Sequence, residues 1–171
     1  MNRFKRHQNL CSKGIIMTTQ QQIDYASIAK AQYDATIESI KQSFPDASKN
    51  ALEKSAASST TTATGSATFA TAFIYGTCTC DLTFDNGQKT HFYGTMWGIG
   101  IGGGTSAGAY IGVPANQLVG DCSFQVTVVS GVAGAVTIQF WRGNDYLGNF
   151  TGAALAVAAS VTGGSGEWTM K

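Results

Sequence analysis

The strongest constraint on the fold is a tract of β-type sequence from Ala67 to Lys171 with no helical interval. "TFATAFIYGTCTCDLTF" is β-branched and aromatic, with stretches of period two. Further on, Phe124, Val126 and Val128 alternate with Gln125, Thr127 and Val129. Val136, Ile138 and Phe140 alternate in the same way with Thr137, Gln139 and Trp141. "DNG" at Asp85–Gly87 predicts a hairpin, because Asn-Gly supplies the positive φ angles of a type I′ turn. "RGNDY" marks the next turn. About eight short strands in succession imply an antiparallel sheet, closed into a barrel or folded as a sandwich. Only 12% of the residues are charged. Long sheet edges with so few charges would pair with other chains, so closure is favoured. The expected fold is all-β: a closed eight-stranded antiparallel barrel, preceded by an α-helical N-terminal segment.

Upstream of the barrel the pattern changes. Residues 1–17 read as a disordered basic extension, and residues 18–57 as an amphipathic helical segment. Ile23, Ala26, Tyr33, Ile37, Ile40 and Phe44 form its apolar stripe, with Lys30 as the one break. Pro45 interrupts the helix, and Asp46 or Ser48 is placed to cap a second short one ending near Lys54. The stripe either packs on the barrel or pairs with a copy of itself. Its polar face mixes Asp24, Lys30, Asp34, Glu38 and Lys41, which disfavours an anionic membrane surface. Residues 58–66, within "SAASSTTTATGSAT", read as a flexible linker, and residues 67–171 as the barrel domain.

Charge and motif content exclude several functions. A net charge of +1 provides no basic face for nucleic acid. No apolar run is long enough for a transmembrane helix. "MNRFKRHQNLCSKGIIMTTQ" lacks the apolar stretch of a secretory signal, so the expected location is cytoplasmic, or external by a route without a cleavable signal. Cys78 and Cys80 fall on one face of a strand, a spacing unlike a zinc ligand pair. They read as buried small apolar residues, the alternative being a disulfide from Cys122 to one of them; Cys11 stands apart. Asp81, Asp85, His91, Asp121, Asp145 and Glu167 are the acids and bases of the barrel. None sits in a nucleophile, metal or paired-carboxylate signature. No catalytic, cofactor-binding or metal residue is therefore assigned, and no cofactor is expected.

The barrel sequence repeats a grammar. "LTFDNGQKTHFYGTMWGIGIGGGTSAGAY" aligns with "IQFWRGNDYLGNFTGAALAVAASVTGGSGEW". Phe84 matches Phe140, and Phe92 with Gly94 matches Phe150 with Gly152. Gly103-Gly104 matches Gly163-Gly164, and Tyr110 matches Trp168. The alignment implies two related four-strand units in Greek-key-like order. Glycine inside a strand marks a bend or a close backbone approach, so the glycine-aromatic ends read as architecture. No glycine-rich run leads into a helix with the Lys-Ser/Thr of a phosphate loop.

These residues resemble the virulence-associated (Vap) proteins, small secreted proteins of intracellular actinobacterial pathogens. The resemblance lies in Ile138–Trp141, the turn Arg142–Asp145, Leu147-Gly148, the small-residue run Ala153–Val161, and Gly163–Trp168. It covers roughly Ala67 to Trp168. The four cysteines and the helical segment depart from the family pattern. The resemblance implies a compact eight-stranded barrel filled by its own side chains, with a variable region before it. It further implies a role in survival inside host phagocytes and disturbance of endolysosomal membranes. The family offers no catalytic residues to carry over. The expected function is a non-enzymatic module directed at a host membrane lipid or a host protein, with self-association through the helix as a further expectation. An alternative is a carrier of a small apolar ligand, which large inward residues such as Phe73, Phe92, Phe124, Phe140 and Trp168 disfavour. An enzyme of unrecognised type ranks last.

Overall fold

Alternation along the chain becomes an inside and an outside. The computed structural model describes residues 24–43, 61–72, 74–97, 102–129, 135–154 and 160–171. Helix α1 (Tyr25–Ser43) precedes strands β1 (Thr61–Ala72), β2 (Tyr75–Phe84), β3 (Lys89–Trp97) and β4 (Gly102–Gly112). A single turn, α2 (Ala115–Leu118), leads to β5 (Gly120–Val129), β6 (Ala135–Arg142), β7 (Asp145–Ala154) and β8 (Ser160–Met170). The strands close in the order β1-β2-β3-β8-β5-β6-β7-β4, every neighbour antiparallel. In each half, three hairpin-linked strands are followed by a fourth that lies beside the first: β4 next to β1, and β8 next to β5. The fold is thus the expected closed eight-stranded antiparallel barrel, preceded by a helix. Closure removes all edges, which a chain this poor in charge requires.

Four sequence expectations are corrected in detail. The linker reading of residues 58–66 fails from Thr61 onward, because β1 begins there and pairs with both β2 and β4. Small residues do not prevent a strand here: Ala63 and Ala67 point inward and are buried in the core. The hairpin at Asp85 has a three-residue loop, with Gly87 at φ +83 and its N–H bonded to the Phe84 carbonyl at 2.9 Å. That is a turn closed by a left-handed glycine, in place of the two-residue type I′ turn. The helix buries Ala29 and half-buries Tyr25, Gln32, Tyr33 and Ile37, whereas Ala26 is exposed. The buried stripe therefore passes from Tyr25 through Ala29 to Tyr33, and Lys30 does not break it. Lys30 lies outside it and pairs with Asp34 at 2.8 Å.

The internal repeat is real in part. Phe92 faces Trp168 across β3–β8, and Phe150 faces Tyr110 across β7–β4. Two residues on, Gly94 faces Gly166 and Gly152 faces Gly108. Anchored on these pairs, the position equivalent to Phe140 is Leu82 rather than Phe84, and Gly163-Gly164 falls opposite Thr105-Ser106 rather than Gly103-Gly104. The cause is a bulge at Phe140/Trp141 and the unequal turns. A slip of two preserves the face, so either alignment fits the inside-outside pattern.

The 1–17 extension, the second short helix near Lys54, and Ile23, Phe44, Phe73 and Cys11 lie outside the described residues.

Candidate functional site

The barrel interior is filled by rings. Phe92 lies 5.1 Å from Phe124, 5.2 Å from Phe140 and 5.2 Å from Trp168, and Phe140 lies 5.0 Å from Trp168, all between centroids. Edge-to-face and tilted contacts of this kind add to the burial term. Glycine makes room for them. A Cβ on Gly94 would strike the Phe92 and Phe124 rings. On Gly166 it would strike the Tyr93 carbonyl and the Gly94 Cα, and on Gly108 the Thr151 carbonyl and the Gly152 Cα. Glycine followed two residues later by an aromatic is thus one device, used twice: strands pressed together, then a ring inside.

Cys78, Cys80 and Cys122 are free thiols, all buried and inward. The expected shared face of Cys78 and Cys80 is observed, and the alternative disulfide from Cys122 is not formed. Burial pushes the Cys78 thiol up to about 12 and the Cys122 thiol up to about 11, while Cys80 is also raised well above the ordinary value by burial. These thiols stay protonated and unreactive near neutral pH.

The structure brings the six acids and bases together only in part. Asp81 and His91 are register partners, with His91 Nδ1 and Asp81 Oδ1 2.9 Å apart. Lys171 Nζ reaches the same carboxylate oxygen at 2.6 Å. Partial burial works to raise the Asp81 pKa, but the hydrogen bonds and charges of Lys171 and His91 outweigh it and hold it below the ordinary value. Asp85 accepts a hydrogen bond from Thr62 Oγ1 at 2.9 Å. Asp145 pairs in register with Arg142 at a tight turn. Asp121 and Glu167 are cross-strand neighbours on β5 and β8. Among the described residues, no group of three or more His, Cys, Asp or Glu is arranged to hold a metal ion.

Asp121 and Glu167 do share a feature that the sequence did not reveal. They border a trough on the outer wall, where Ser165 of β8 lies between Thr95 of β3 and Ser123 of β5, and Glu167 between Tyr93 and Asp121. This part of the trough holds about 650 Å³. A second part, of about 410 Å³, continues past Ser123 over Gly163 and between Trp97 and Trp141. Arg142 lines the trough beside Asp121. Its guanidinium is fixed by the carbonyls of Asp121, Gln117, Leu118 and Val119 at 2.9–3.0 Å. The trough combines an exposed ring with hydroxyls and carboxylates, a chemistry suited to polar contact.

The equivalent wall, β7–β4, is occupied by the chain's own helix. Gln32 Oε1 accepts from Thr137 Oγ1 at 2.7 Å and from Thr151 Oγ1 at 2.9 Å. Asn149, fully buried, donates to the Ala29 carbonyl at 3.2 Å and accepts from the Tyr146 hydroxyl at 3.1 Å. Tyr33 packs on Tyr146 at 5.4 Å. Of the two sequence readings of the helix, packing on the barrel is the one observed. Asp24 caps its first turn through the N–H groups of Ala26 and Ser27.

The arrangement defines a class: a small closed β-barrel, filled inside, that carries a helix on one wall and leaves the other open. The chain belongs to the family described as Rhodococcus equi virulence-associated protein, whose model matches residues 12–169. Two solved structures from Rhodococcus equi are similar to it. The virulence-associated protein VapD matches with a TM-score of 0.54 and 17% identity, over 64% of this chain and 98% of that one. VapB matches with a TM-score of 0.51 and 23% identity, over 65% of this chain and 98% of that one. Among curated proteins, no sequence matches.

Proposed function

We propose that this chain is a non-enzymatic, host-directed interaction module of the virulence-associated family, working through its outer surface without cofactor, metal or nucleic acid. The observation that carries the reading is the ring cluster of Phe92, Phe124, Phe140 and Trp168, which occupies the space a carrier barrel would give to its ligand. The scatter of the acids and bases adds support, since the Asp81–His91 pair lies on the outer wall with its carboxylate engaged by Lys171. Among the described residues the thiols of Cys78, Cys80 and Cys122, raised by burial, offer no thiolate near neutral pH. Between a host protein and a host membrane as counterpart, the membrane is favoured by the large apolar groups exposed at one end of the barrel.

The test is mass spectrometry of an organic extract of the purified full chain, together with thermal unfolding in the presence of fatty acids and sterols. The expected result is no stoichiometric ligand and an unchanged midpoint. A ligand recovered at one per chain, or a midpoint that rises with ligand concentration, would establish a carrier and overturn the reading.

A further inference from the structure

We propose that the open wall is a carbohydrate-binding face, and that its ligand is a neutral, β-linked oligosaccharide lying across β3, β8, β5 and β6. The proposal rests on the surface-module reading and adds the face and the class of ligand. Its ground is the grid of outward side chains that the strand register builds. One row runs from Tyr93 through Glu167 to Asp121. The next runs from Thr95 through Ser165 and Ser123 to Trp141. The third runs from Trp97 through Gly163 and Gln125 to Gln139. The step from Glu167 to Gly163 covers about 13 Å at the ordinary strand rise, and the step from β3 to β6 about 14 Å at the ordinary strand spacing.

The floor of this grid is low. Ser165 and Ser123 are small and exposed, and Gly163 has no side chain. Gly108 and Gly166 are forced by a neighbouring backbone, but Gly163 is not: a Cβ there would meet only the Phe124 carbonyl, at 3.2 Å. What a larger side chain at this position would fill is the trough above it. Rings stand at the margins. Tyr93 is 53% exposed and Trp97 63%. Trp141 is half-buried on the far side, braced by the Tyr146 ring at 4.5 Å. The C–H face of a pyranose carries partial positive charge and packs on the negative face of an aromatic ring.

The polar groups between the rings are unengaged. Among the described residues, the side chains of Thr95, Ser165, Gln125, Asp121 and Glu167 make no hydrogen bond within the chain. On the β7–β4 wall the hydroxyls of Thr137 and Thr151 are met by the Gln32 amide. Asp121 and Glu167 moreover face each other in register, and a like-charged cross-strand pair costs stability unless a donor comes between. A polyol supplies such donors. Its adjacent hydroxyls donate to a carboxylate, and they both donate to and accept from hydroxyls and amides. A phosphate or sulfate ester would meet the two carboxylates, and the Arg142 guanidinium beside them is already bonded to four carbonyls. A fatty chain would bury these groups without partners. An extended peptide finds no free strand edge to pair with in a closed barrel. The trough is long and shallow, which selects a chain of sugars over one ring, and equatorial β-linkage keeps such a chain flat.

The experiment is calorimetric titration of the full chain, at low and high salt, with cellotetraose and with the tetramer of β-1,4-linked N-acetylglucosamine. A heparin tetrasaccharide and tetralysine are the charged counterparts. The native chain is expected to bind at least one neutral tetramer with a Kd below about 1 mM, unchanged by salt. Tyr93→Ala should weaken binding at least about fivefold. Ser165→Phe, which fills the floor, and the double variant Asp121→Asn/Glu167→Gln should each weaken it at least about tenfold. Lys89→Gln, outside the trough, should bind as the native chain does. Circular dichroism and urea unfolding establish that each variant is folded. If the native chain binds neither neutral tetramer, the proposal is overturned and the surface-module reading stands. The same holds if folded Tyr93→Ala and Ser165→Phe bind like the native chain. Binding of tetralysine alone, reversed by salt, would make the wall an acidic face for a basic partner and overturns the proposal, as does binding of heparin alone. Recovery of a ligand from the interior is the separate result that removes the underlying reading.

Discussion

The two walls built from the repeated strands are related by register but not by what they carry. Anchored on the Phe92–Trp168 and Phe150–Tyr110 pairs, His91 corresponds to Asn149 and Tyr93 to Thr151. On the partner strands Glu167 corresponds to Ala109 and Ser165 to Ala107. The β7–β4 wall presents small side chains and uncharged amides and hydroxyls, and α1 lies on it with Asn149 and Thr151 completely buried. The β3–β8 wall presents a carboxylate, an imidazole and an exposed tyrosine, and it is open. The inward positions are nearly interchangeable because the barrel dictates them. The outward positions differ because covering a charge without a partner is costly, whereas covering a bonded amide is not. A duplicated scaffold thus acquires one closed wall and one open wall through outward side chains alone.

The largest effect should come from the feature the walls share. Gly108→Val and Gly166→Val each drive a branched side chain into a neighbouring strand's backbone. Each should lower stability in urea by at least about 3 kcal/mol. If one is tolerated and the other is not, the two crossings are not equivalent and the comparison fails at its root.

Removing residues 1–60 should act on one wall only. The barrel should remain folded by circular dichroism, since all eight strands begin at Thr61 or later. Its stability should fall by about 2 kcal/mol, as Asn149 loses its bond to Ala29 and the apolar contacts of α1 disappear. An unfolded fragment would show that the closed wall belongs to the folding core and is not a covered surface. Gln32→Ala is the finer probe. It removes one acceptor shared by Thr137 and Thr151 and should cost about 1 kcal/mol in the full chain. In chains lacking residues 1–60, Thr151→Ala should then be nearly neutral.

What was legible in the sequence follows the same division. Inward positions announce themselves, since alternation from Phe124 to Val128 and a glycine two residues before an aromatic are local patterns with one physical meaning. Residues such as Cys78, Cys80, Phe140 and Trp168 could be placed inside before any fold was known. Outward placement depends on partners far apart in the chain. Gln32 meets Thr151 across 119 residues, and no periodicity records that contact. β1 was hidden for a related reason. An Ala-, Thr- and Gly-rich stretch becomes a strand only when two neighbours pair with it and its small inward side chains join a core built by other strands.

The smallest expected effect separates the walls by their response to solvent. Asp81 is held below the ordinary carboxylate range, because the bonds and charges of Lys171 and His91 outweigh the partial burial that acts in the other direction. A carboxylate whose folded pKa lies below its unfolded one contributes stability above the unfolded value, and that contribution is lost as pH falls through the folded value. Asp81→Asn should therefore lower the urea midpoint slightly at pH 6, and the difference should vanish as pH is taken from about 4 downward. The side chains of Asp81, His91 and Lys171 are 44%, 33% and 52% exposed, so the effect at pH 6 should stay below about 1 kcal/mol. Salt sharpens the contrast. At about 0.5 M the Asp81→Asn difference should shrink toward zero, while the Gln32→Ala difference, which comes from neutral hydrogen bonds under a helix, should not change. If both respond to salt alike, α1 does not exclude solvent from the β7–β4 wall, and the closed and open walls become one kind of surface.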